Sequence, residues 1–119
     1  MEQSSPEIIA RYYAFVQWMH ERIIRFPVQQ RSGLGARIDA KIFTGLEQLI
    51  RAYYAKDKLA LLAEINLELE ILRYYLRLCK DLKLLSIKQY EYALRLLFDI
   101  GQSLGGWIKQ QQTRTYAKA

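Results

Sequence analysis

The chain has 119 residues, which is enough for one domain, and its 18 lysines and arginines outnumber its 12 acidic residues, for a formal net charge of +6. This moderate basic excess is typical of proteins that bind nucleic acid, anionic lipid or an acidic partner. A lone cysteine, the lack of a signal-peptide pattern and the lack of a membrane-length apolar run lead us to expect a cytoplasmic protein with no membrane partner.

Four segments carry apolar residues at alternating steps of three and four, the spacing of amphipathic helices that bury one face. We expect helices at about 6–27, 35–55, 58–84 and 87–110. Short connections between such helices predict an all-α, up-down-up-down four-helix bundle that forms a single domain over 1–119. The polar tail at 111–119 is expected to be disordered.

The first helix has a core face and a mixed face. Its expected core positions are Ile9, Tyr12, Val16, Met19, Ile23 and Phe26. The mixed face interleaves basic and aromatic residues, namely Arg11, Phe15, Trp18, Arg22 and Arg25. Such a face can stack bases and neutralise phosphates, or its aromatics can join the core or an interface while the arginines stay solvated. Pro27 is expected to end the helix, and 28–35, with two glycines and no period, to be a plain loop.

The second helix has a glycine in its expected core face, which consists of Ile38, Ile42, Gly45, Leu49 and Ala52. A mid-helix glycine costs about 1 kcal/mol relative to alanine, so we expect a neighbouring helix to approach closely at Gly45. A second apolar row contains Phe43, Leu46, Ile50 and Tyr54. The polar face is either simply solvated or part of a cationic binding surface, and it contains Arg37, Lys41, Gln48 and Arg51.

The third helix has the strongest pattern, with core positions Leu62, Ile65, Leu69, Leu72, Leu76 and Cys79. A second apolar row beside them indicates that the helix is covered on two sides or meets another subunit. That row is Leu67, Ile71, Tyr74, Leu78 and Leu82. Asp57 is expected to cap this helix. The basic row Arg73, Arg77 and Lys80 is a candidate binding surface, but cations near a helix C-terminus also have a purely structural explanation.

The fourth helix is expected to begin with a capping box between Ser86 and Gln89. Its expected core positions are Tyr90, Leu94, Leu97, Gly101, Leu104 and Ile108. The row beside them is expected to contact another subunit, the alternative being the intramolecular core. It consists of Tyr92, Leu96, Ile100 and Trp107.

The sequence offers no ligand set for a metal or a cofactor, so we expect neither. A catalytic arrangement would have to use His20, the only histidine, and no motif supports one. We therefore expect a protein that is not an enzyme; a helical enzyme or toxin component that depends on His20 is the competing class.

Three stretches carry a resemblance to a known family. They are Phe26-Pro27 with Arg31 and Leu34-Gly35, the run Leu72-Arg73-Tyr74-Tyr75-Leu76-Arg77-Leu78, and the run Ile100-Gly101-Gln102-Ser103-Leu104-Gly105-Gly106-Trp107-Ile108-Lys109. Over about residues 8–110 the chain resembles the accessory variability determinant (Avd) proteins of diversity-generating retroelements, within the four-helix proteins encoded in intervening sequences of bacterial rRNA genes. The stretch 40–47 lacks the Pro-x-Asn-x-x-Glu-Gly-like run of many rRNA-gene relatives, which favours the retroelement branch.

The resemblance implies a barrel-shaped homopentamer that binds the retroelement reverse transcriptase and template RNA or DNA through a basic surface. In that role the protein supports error-prone cDNA synthesis and mutagenic retrohoming without chemistry of its own. The alternative is an rRNA intervening-sequence protein with a structural or unknown role. The candidate nucleic-acid or partner-binding residues are Arg11, Arg22, Arg25, Arg37, Lys41, Arg51, Arg73, Arg77 and Lys80.

Overall fold

The computed structural model describes the backbone of residues 4–118 and the side chains of residues 7–116, and every regular element in that range is helical. The long helices are α1 (Ser4–Ile23), α3 (Ala36–Tyr54), α4 (Leu59–Asp81) and α5 (Ile87–Lys118). A short helix, α2 (Val28–Gln30), and a π-helical stretch, Arg31–Gly35, precede α3. Both α1 and α4 pack against α3 and α5. The long helices therefore form a four-helix bundle with α1 diagonal to α4, and this part of the predicted fold is confirmed.

The core faces of α3 and α4 are the predicted ones. All five expected positions on α3 and all six on α4 are buried. On α1 the expected positions from Tyr12 to Phe26 are buried as well, but Ile8 is fully buried where Ile9 was expected, and Ile9 is only half-buried. Phe15 is also fully buried, so it belongs to the core and not to a binding face.

The core face of α5 differs from the prediction. Its buried residues are Ala93, Leu97, Ile100, Leu104, Trp107 and Gln111. The core combines Leu97 and Leu104 of the expected core row with Ile100 and Trp107 of the row beside it. Ile100 and Trp107 are 1% and 0% exposed within one chain, so the prediction that they contact another subunit is wrong. Tyr92 stays exposed and Leu96 half-buried.

The connection at 28–35 is helical, and the prediction of a plain loop is wrong. Pro27 precedes α2 as its N-cap, and the backbone then continues through the π-helical stretch into α3. Gly35 has an ordinary right-handed helical backbone, but a Cβ atom there would lie 3.0 Å from the side chain of Ile23. Glycine is needed for close approach to the end of α1, not to break the helix.

The close approach expected at Gly45 is confirmed. Its neighbour is Tyr12 of α1, and a Cβ atom on Gly45 would lie 2.8 Å from Cζ of that ring and closer still to its hydroxyl. Tyr12 is 1% exposed, so the ring cannot swing into solvent to make room. The glycine therefore lets a large aromatic side chain pack directly on the backbone of α3.

The expected cap at Asp57 is absent, because α4 begins after Lys58 and has no side-chain hydrogen bond at its N-cap. Lys58 instead closes the preceding helix. Its ammonium donates hydrogen bonds to the carbonyl oxygens of Ala52, Tyr53 and Ala55 at 2.9, 2.7 and 2.7 Å. The last carbonyls of a helix lack intrahelical partners and carry its negative dipole end, which suits a buried cation.

The α4–α5 connection has a specific hydrogen-bonded geometry at each end. Just after α4, Lys83 has the left-handed conformation, at φ 62°, and the amide of Leu84 donates to the carbonyl of Cys79 at 2.8 Å. This is the helix-ending geometry that usually employs glycine. The predicted capping box of α5 is confirmed by two 3.0 Å bonds between Ser86 and Gln89.

The tail expected to be disordered continues α5 through Lys118. Gln111 is 7% exposed, and it lines a cavity with residues 56–59 of the α3–α4 connection. Two threonines in this part, Thr113 and Thr115, donate to the carbonyls four residues earlier. The polar composition thus reflects an exposed helix, not absence of structure.

Candidate nucleic-acid interface

Charge is distributed unevenly along the bundle. Because α1 and α4 run in one direction and α3 and α5 in the other, the connections at 24–27 and 82–86 lie at the same end. We term this the basic end and define it as residues 20–40 and 73–95. It contains ten lysines and arginines and four acidic residues, whereas the rest of the chain contains eight of each. The whole formal excess of +6 therefore lies at one end of the bundle.

The basic end brings together most of the predicted binding residues. These are Arg22, Arg25, Arg37, Arg73, Arg77 and Lys80. Lys41 lies just outside the defined segments. Arg11 and Arg51 lie toward the opposite end, near the start of α1 and the end of α3, so the structure does not join them to the others.

Six of the nine predicted cations have an acidic neighbour. The N–O distances are 2.8 Å for Arg11–Glu7, 3.6 Å for Arg22–Glu21, 2.6 Å for Lys41–Glu68, 2.5 Å for Arg73–Glu70, 4.0 Å for Arg77–Asp81 and 3.4 Å for Lys80–Asp81. The pairs with both side chains exposed, such as Arg11–Glu7 and Arg77–Asp81, contribute about 0–1 kcal/mol, so a phosphate can compete for those cations. The acidic partners nevertheless reduce the local positive potential.

Four cations of the basic end were missed from sequence: Arg31, Lys83, Lys88 and Arg95. Within residues 7–116 none of them forms an ion pair, and the same holds for Arg25 and Arg37. Arg31 uses one donor on the carbonyl of Ile24, at 3.3 Å. All six are exposed. Helix direction was the signal that could have found them, because it shows which segment ends meet.

Two grooves hold predicted cations against aromatic walls. One lies between α4 and α5 and is lined by Glu70, Arg73, Tyr74, Arg77, Tyr90 and Leu94. At its margin the ammonium of Lys80 lies 5.0 Å from the centre of the Tyr90 ring. The other lies between α3 and α4 and is lined by Arg37, Ala40, Lys41, Thr44, Glu68 and Tyr75. Cations held on aromatic surfaces suit phosphate and base contacts together.

Trp18, the other aromatic residue on the mixed face of α1, does not join the core as Phe15 does. It is half-buried and packs on Tyr92 of α5, with ring centres 5.2 Å apart. The guanidinium of Arg22 lies 5.6 Å from the Trp18 ring centre, and that of Arg95 lies 5.9 Å from the Tyr92 ring centre. Two aromatic rings thus contact each other at the α1–α5 joint, and a guanidinium lies near each of them.

His20 and Cys79 have structural surroundings. Nδ1 of His20 lies 3.0 Å from both carboxylate oxygens of Asp39, and its ring packs on Phe43, so the histidine links α1 to α3. Cys79 is fully buried, and burial raises the pKa of its thiol to about 11, which keeps it protonated near neutral pH. Among the described residues no three His, Cys, Asp or Glu side chains form a candidate metal site.

These features define the class of protein: a small helical bundle with a cationic end. Over the part of the chain that the structure describes, no helix has the length and apolarity to cross a membrane. A comparison with curated proteins finds no match. A family model described as bAvd-like matches residues 8–111, and the chain therefore belongs to the bAvd-like family. The resemblance to Avd proteins is confirmed, and proteins of this accessory type are generally non-catalytic.

Proposed function

We propose that this protein is a non-enzymatic accessory protein of a diversity-generating retroelement. In this role it binds template RNA or DNA at the basic end, engages the reverse transcriptase, and supports mutagenic cDNA synthesis and retrohoming in the cytoplasm. The observation that carries the proposal is the location of the full charge excess at one end of a bundle in the bAvd-like family. A concentrated positive field attracts polyanions far better than the same charge spread evenly.

The unpaired cations supply the phosphate contacts in this proposal. Lysine and arginine side chains that already hold no carboxylate release only water and counterions when a phosphate binds. Arg25, Arg37 and Lys88 are exposed and lie in three different segments at the basic end: the turn after α1, the start of α3 and the start of α5. Paired residues such as Arg73 join when a phosphate displaces their acidic partner.

Two triple variants test the location of binding at equal net charge. The first changes Arg25, Arg37 and Lys88 to Gln, and the matched control changes Arg51, Lys56 and Lys109 to Gln. Each removes three exposed cations, so each chain has a formal charge of +3 instead of +6. We expect the first to lower affinity for a single-stranded RNA and to reduce the slope of log affinity against log salt by about 2.1, at about 0.7 per lost phosphate contact, while the control retains nearly the wild-type slope.

Equal losses in the two triple variants would show that only total charge matters, which contradicts binding at the basic end. No RNA binding by the wild-type chain at low salt would contradict the nucleic-acid part of the proposal. Both outcomes can be read from fluorescence anisotropy titrations at several salt concentrations.

In the proposed role, copies of the protein contact each other through the apolar rows of α3 and α4 that remain exposed on the surface of the bundle. The α3 row retains exposed Phe43, Ile50 and Tyr54, and the α4 row retains exposed Leu67, Tyr74, Leu78 and Leu82. The α3 row borders α1, where Ile50 and Tyr54 line a groove with Ile9 and Tyr13. Because α4 is diagonal to α1, the two rows open on different sides of the bundle. Contact between unlike surfaces of successive copies is head-to-tail and closes into a ring when the rotation fits.

Native mass tests the ring, and five copies of the 14.1 kDa chain give 70.5 kDa. Leu67→Glu puts a charge into the α4 row and should lower the mass, whereas Asn66→Glu adds the same charge at the adjacent exposed position and should not. A wild-type monomer of 14.1 kDa would overturn the oligomeric part of the proposal. Leu96 remains a candidate for a further contact between copies.

The reverse transcriptase is the partner implied by the family. The genomic neighbourhood tests the branch, and co-purification with any reverse transcriptase encoded there tests the partner directly. A reverse-transcriptase gene with paired repeats nearby supports the retroelement role. An rRNA gene as the sole neighbour would favour the intervening-sequence alternative instead.

A further inference from the structure

The α1–α5 joint at the basic end has a repeated pattern of cations around two aromatic rings. Trp18 and Arg22 of α1 and Arg25 of the turn that follows are spaced by four and three residues, and on α5 the residues with this spacing are Lys88, Tyr92 and Arg95. Where the backbone is helical, side chains with this spacing share one face, which groups Trp18 with Arg22 and groups the three residues of α5. The two faces meet where Trp18 packs on Tyr92. We term the array Arg22–Trp18–Tyr92–Arg95 the stacking ladder.

We propose that the stacking ladder binds an unpaired base of a single-stranded nucleic acid, with the base inserted between Tyr92 and Arg95. This inference rests on the proposed nucleic-acid binding and gives it a preferred ligand class, single strands over duplex. Aromatic rings and guanidinium planes are the groups on which unstacked bases lie in proteins that bind single strands. In a duplex the base faces are already covered by neighbouring base pairs.

The outer step of the ladder opens to take a base. Stacked bases are about 3.4 Å apart along a strand, so a base between a ring and a guanidinium needs the two planes about 6.8 Å apart. The Cζ atom of Arg95 lies 5.9 Å from the centre of the Tyr92 ring. Arg95 is exposed and forms no ion pair within residues 7–116, so its side chain can move outward to admit the base. Tyr92 is 41% exposed, which leaves its ring accessible.

The inner half of the ladder holds the ring in place. Trp18 is half-buried and supports Tyr92 from behind, and Arg22 lies over Trp18 with only 19% of its side chain exposed. Nε of Arg22 is buried with no hydrogen-bond partner in the structure, so the packing on Trp18 positions this guanidinium. Exposed Arg25 and Lys88 flank the ladder and can contact the phosphates on either side of the stacked base.

Of the three acidic groups near the ladder, only Glu21 contacts one of its members, Arg22 at the inner end. Glu21, with its carboxylate 3.6 Å from Arg22, is adjacent in sequence to that residue, and exposed Glu91 precedes Tyr92. Asp99 lies one turn beyond Arg95 on α5 and is half-buried. None of the three has a described contact with the Tyr92 ring. The strip therefore remains cationic where a strand would cross it.

Strands without bases provide the test, because they keep every phosphate. Affinity at low salt is measured for three probes of equal phosphate number: a thymidine homopolymer, the same strand with abasic residues, and a duplex. The proteins are the wild type, Tyr92→Leu, Tyr92→Phe and a control, Phe98→Leu, in which an exposed aromatic residue of α5 on another face is changed in the same way. Loss of a base–aromatic stack weakens binding by about 5- to 150-fold, and since leucine keeps some contact area we expect about tenfold.

The expected result is that Tyr92→Leu loses this affinity for the thymidine strand only, while Tyr92→Phe and Phe98→Leu stay within about twofold of the wild type. Native mass and a thermal melt check that Tyr92→Leu leaves the assembly and the fold intact. If Tyr92→Leu disturbs the assembly or the fold, the test of the stacking site is the difference in wild-type affinity between the thymidine and abasic strands. Equal wild-type affinity for those two strands overturns the stacking site and leaves the proposed function standing, whereas no binding of any probe overturns both.

Discussion

The two ends of the bundle use the same residue type in opposite ways. At the basic end, Lys88 is exposed in the first turn of α5 and forms no ion pair within residues 7–116. At the other end, Lys58 is 9% exposed and its ammonium donates to three carbonyl oxygens at the end of α3. The difference is the supply of acceptors: a helix C-terminus presents unpaired carbonyls, and a helix N-terminus presents unpaired amides. A lysine is thus structural at one end and available for a ligand at the other.

The largest expected effect comes from removing the structural lysine. Lys58→Met keeps much of the side-chain length but leaves three carbonyls without their donor, so we expect a loss of about 2–4 kcal/mol in the free energy of unfolding. Lys88→Met at the basic end should change it by less than about 0.5 kcal/mol. Urea denaturation of both variants measures the contrast. Similar values for the two would mean that the buried ammonium does not stabilise the end of α3.

The second effect concerns the thiol that lies beneath the basic end. Burial raises the pKa of Cys79 from 9.0 to about 11. The unfolded chain loses this proton at lower pH than the folded chain, so stability is retained below pH 9 and falls as pH rises toward 11, by about 3 kcal/mol in total.

Cys79→Ala serves as the control for this pH dependence. The variant keeps all nine tyrosines, whose own titration affects both proteins equally. We expect a shallower loss of unfolding free energy between pH 8.5 and 10 in Cys79→Ala than in the wild type. Identical slopes would show that the folded state accommodates the thiolate.

The third effect is the loss of stability on removing the last turns of α5, at the end of the bundle opposite the basic end. A chain that stops after Gln110 lacks Gln111, which is buried against the α3–α4 connection that contains Lys58. We expect it to be less stable by about 1–2 kcal/mol, whereas a chain that stops after Thr115 should be close to the full chain. Thermal melts compare the three lengths, and equal melting temperatures would mean that the end of α5 contributes no stability.

The smallest effect separates stability from binding at the basic end. Lys83 has a left-handed backbone, which costs a non-glycine residue about 1 kcal/mol. Lys83→Gly should therefore stabilise the fold by about that amount and at the same time weaken nucleic-acid binding through the lost charge. Lys83→Ala loses the same charge but keeps the strain. Higher affinity in the glycine variant than in the alanine variant would tie the turn's conformation, and not only its charge, to binding.

The core row of α4 was predicted correctly although a second apolar row lies beside it. Its six positions from Leu62 to Cys79 follow one unbroken spacing, and all six are buried. Along α5 the core takes Leu97 and Leu104 from the expected core row and Ile100 and Trp107 from the row beside it, and the choice depends on which neighbour accepts the Trp107 ring. Packing between helices settles that choice, so a pattern within one helix could not.

Only some of the cations of the basic end could be identified from the sequence, for a related reason. Helical periodicity groups residues of one helix, and it identified Arg73, Arg77 and Lys80 together. Cations from separate segments, such as Arg31 and Lys83, become neighbours only after the helix directions are known. Lys58 shows the same limit, because its acceptors on α3 come within reach only through the turn at 55–58. The glycines at 33 and 35 were interpreted as helix breakers, because composition does not reveal that the end of α1 packs closely against Gly35.

The π-helical stretch from Arg31 to Gly35 has a consequence for chain length. A π turn accommodates one residue more than an α turn, so the segment absorbs an extra residue without breaking the rod from Val28 to Tyr54. Gly33, with open space around its Cα, is the residue that can be removed at least steric cost. Its deletion would convert the stretch to regular α-helix and rotate α2 about the rod axis by about 100°, while the core face of α3 keeps its orientation. Natural chains that are one residue shorter between Pro27 and Ile38 would therefore differ in where α2 and Arg31 point, and not in how the bundle packs.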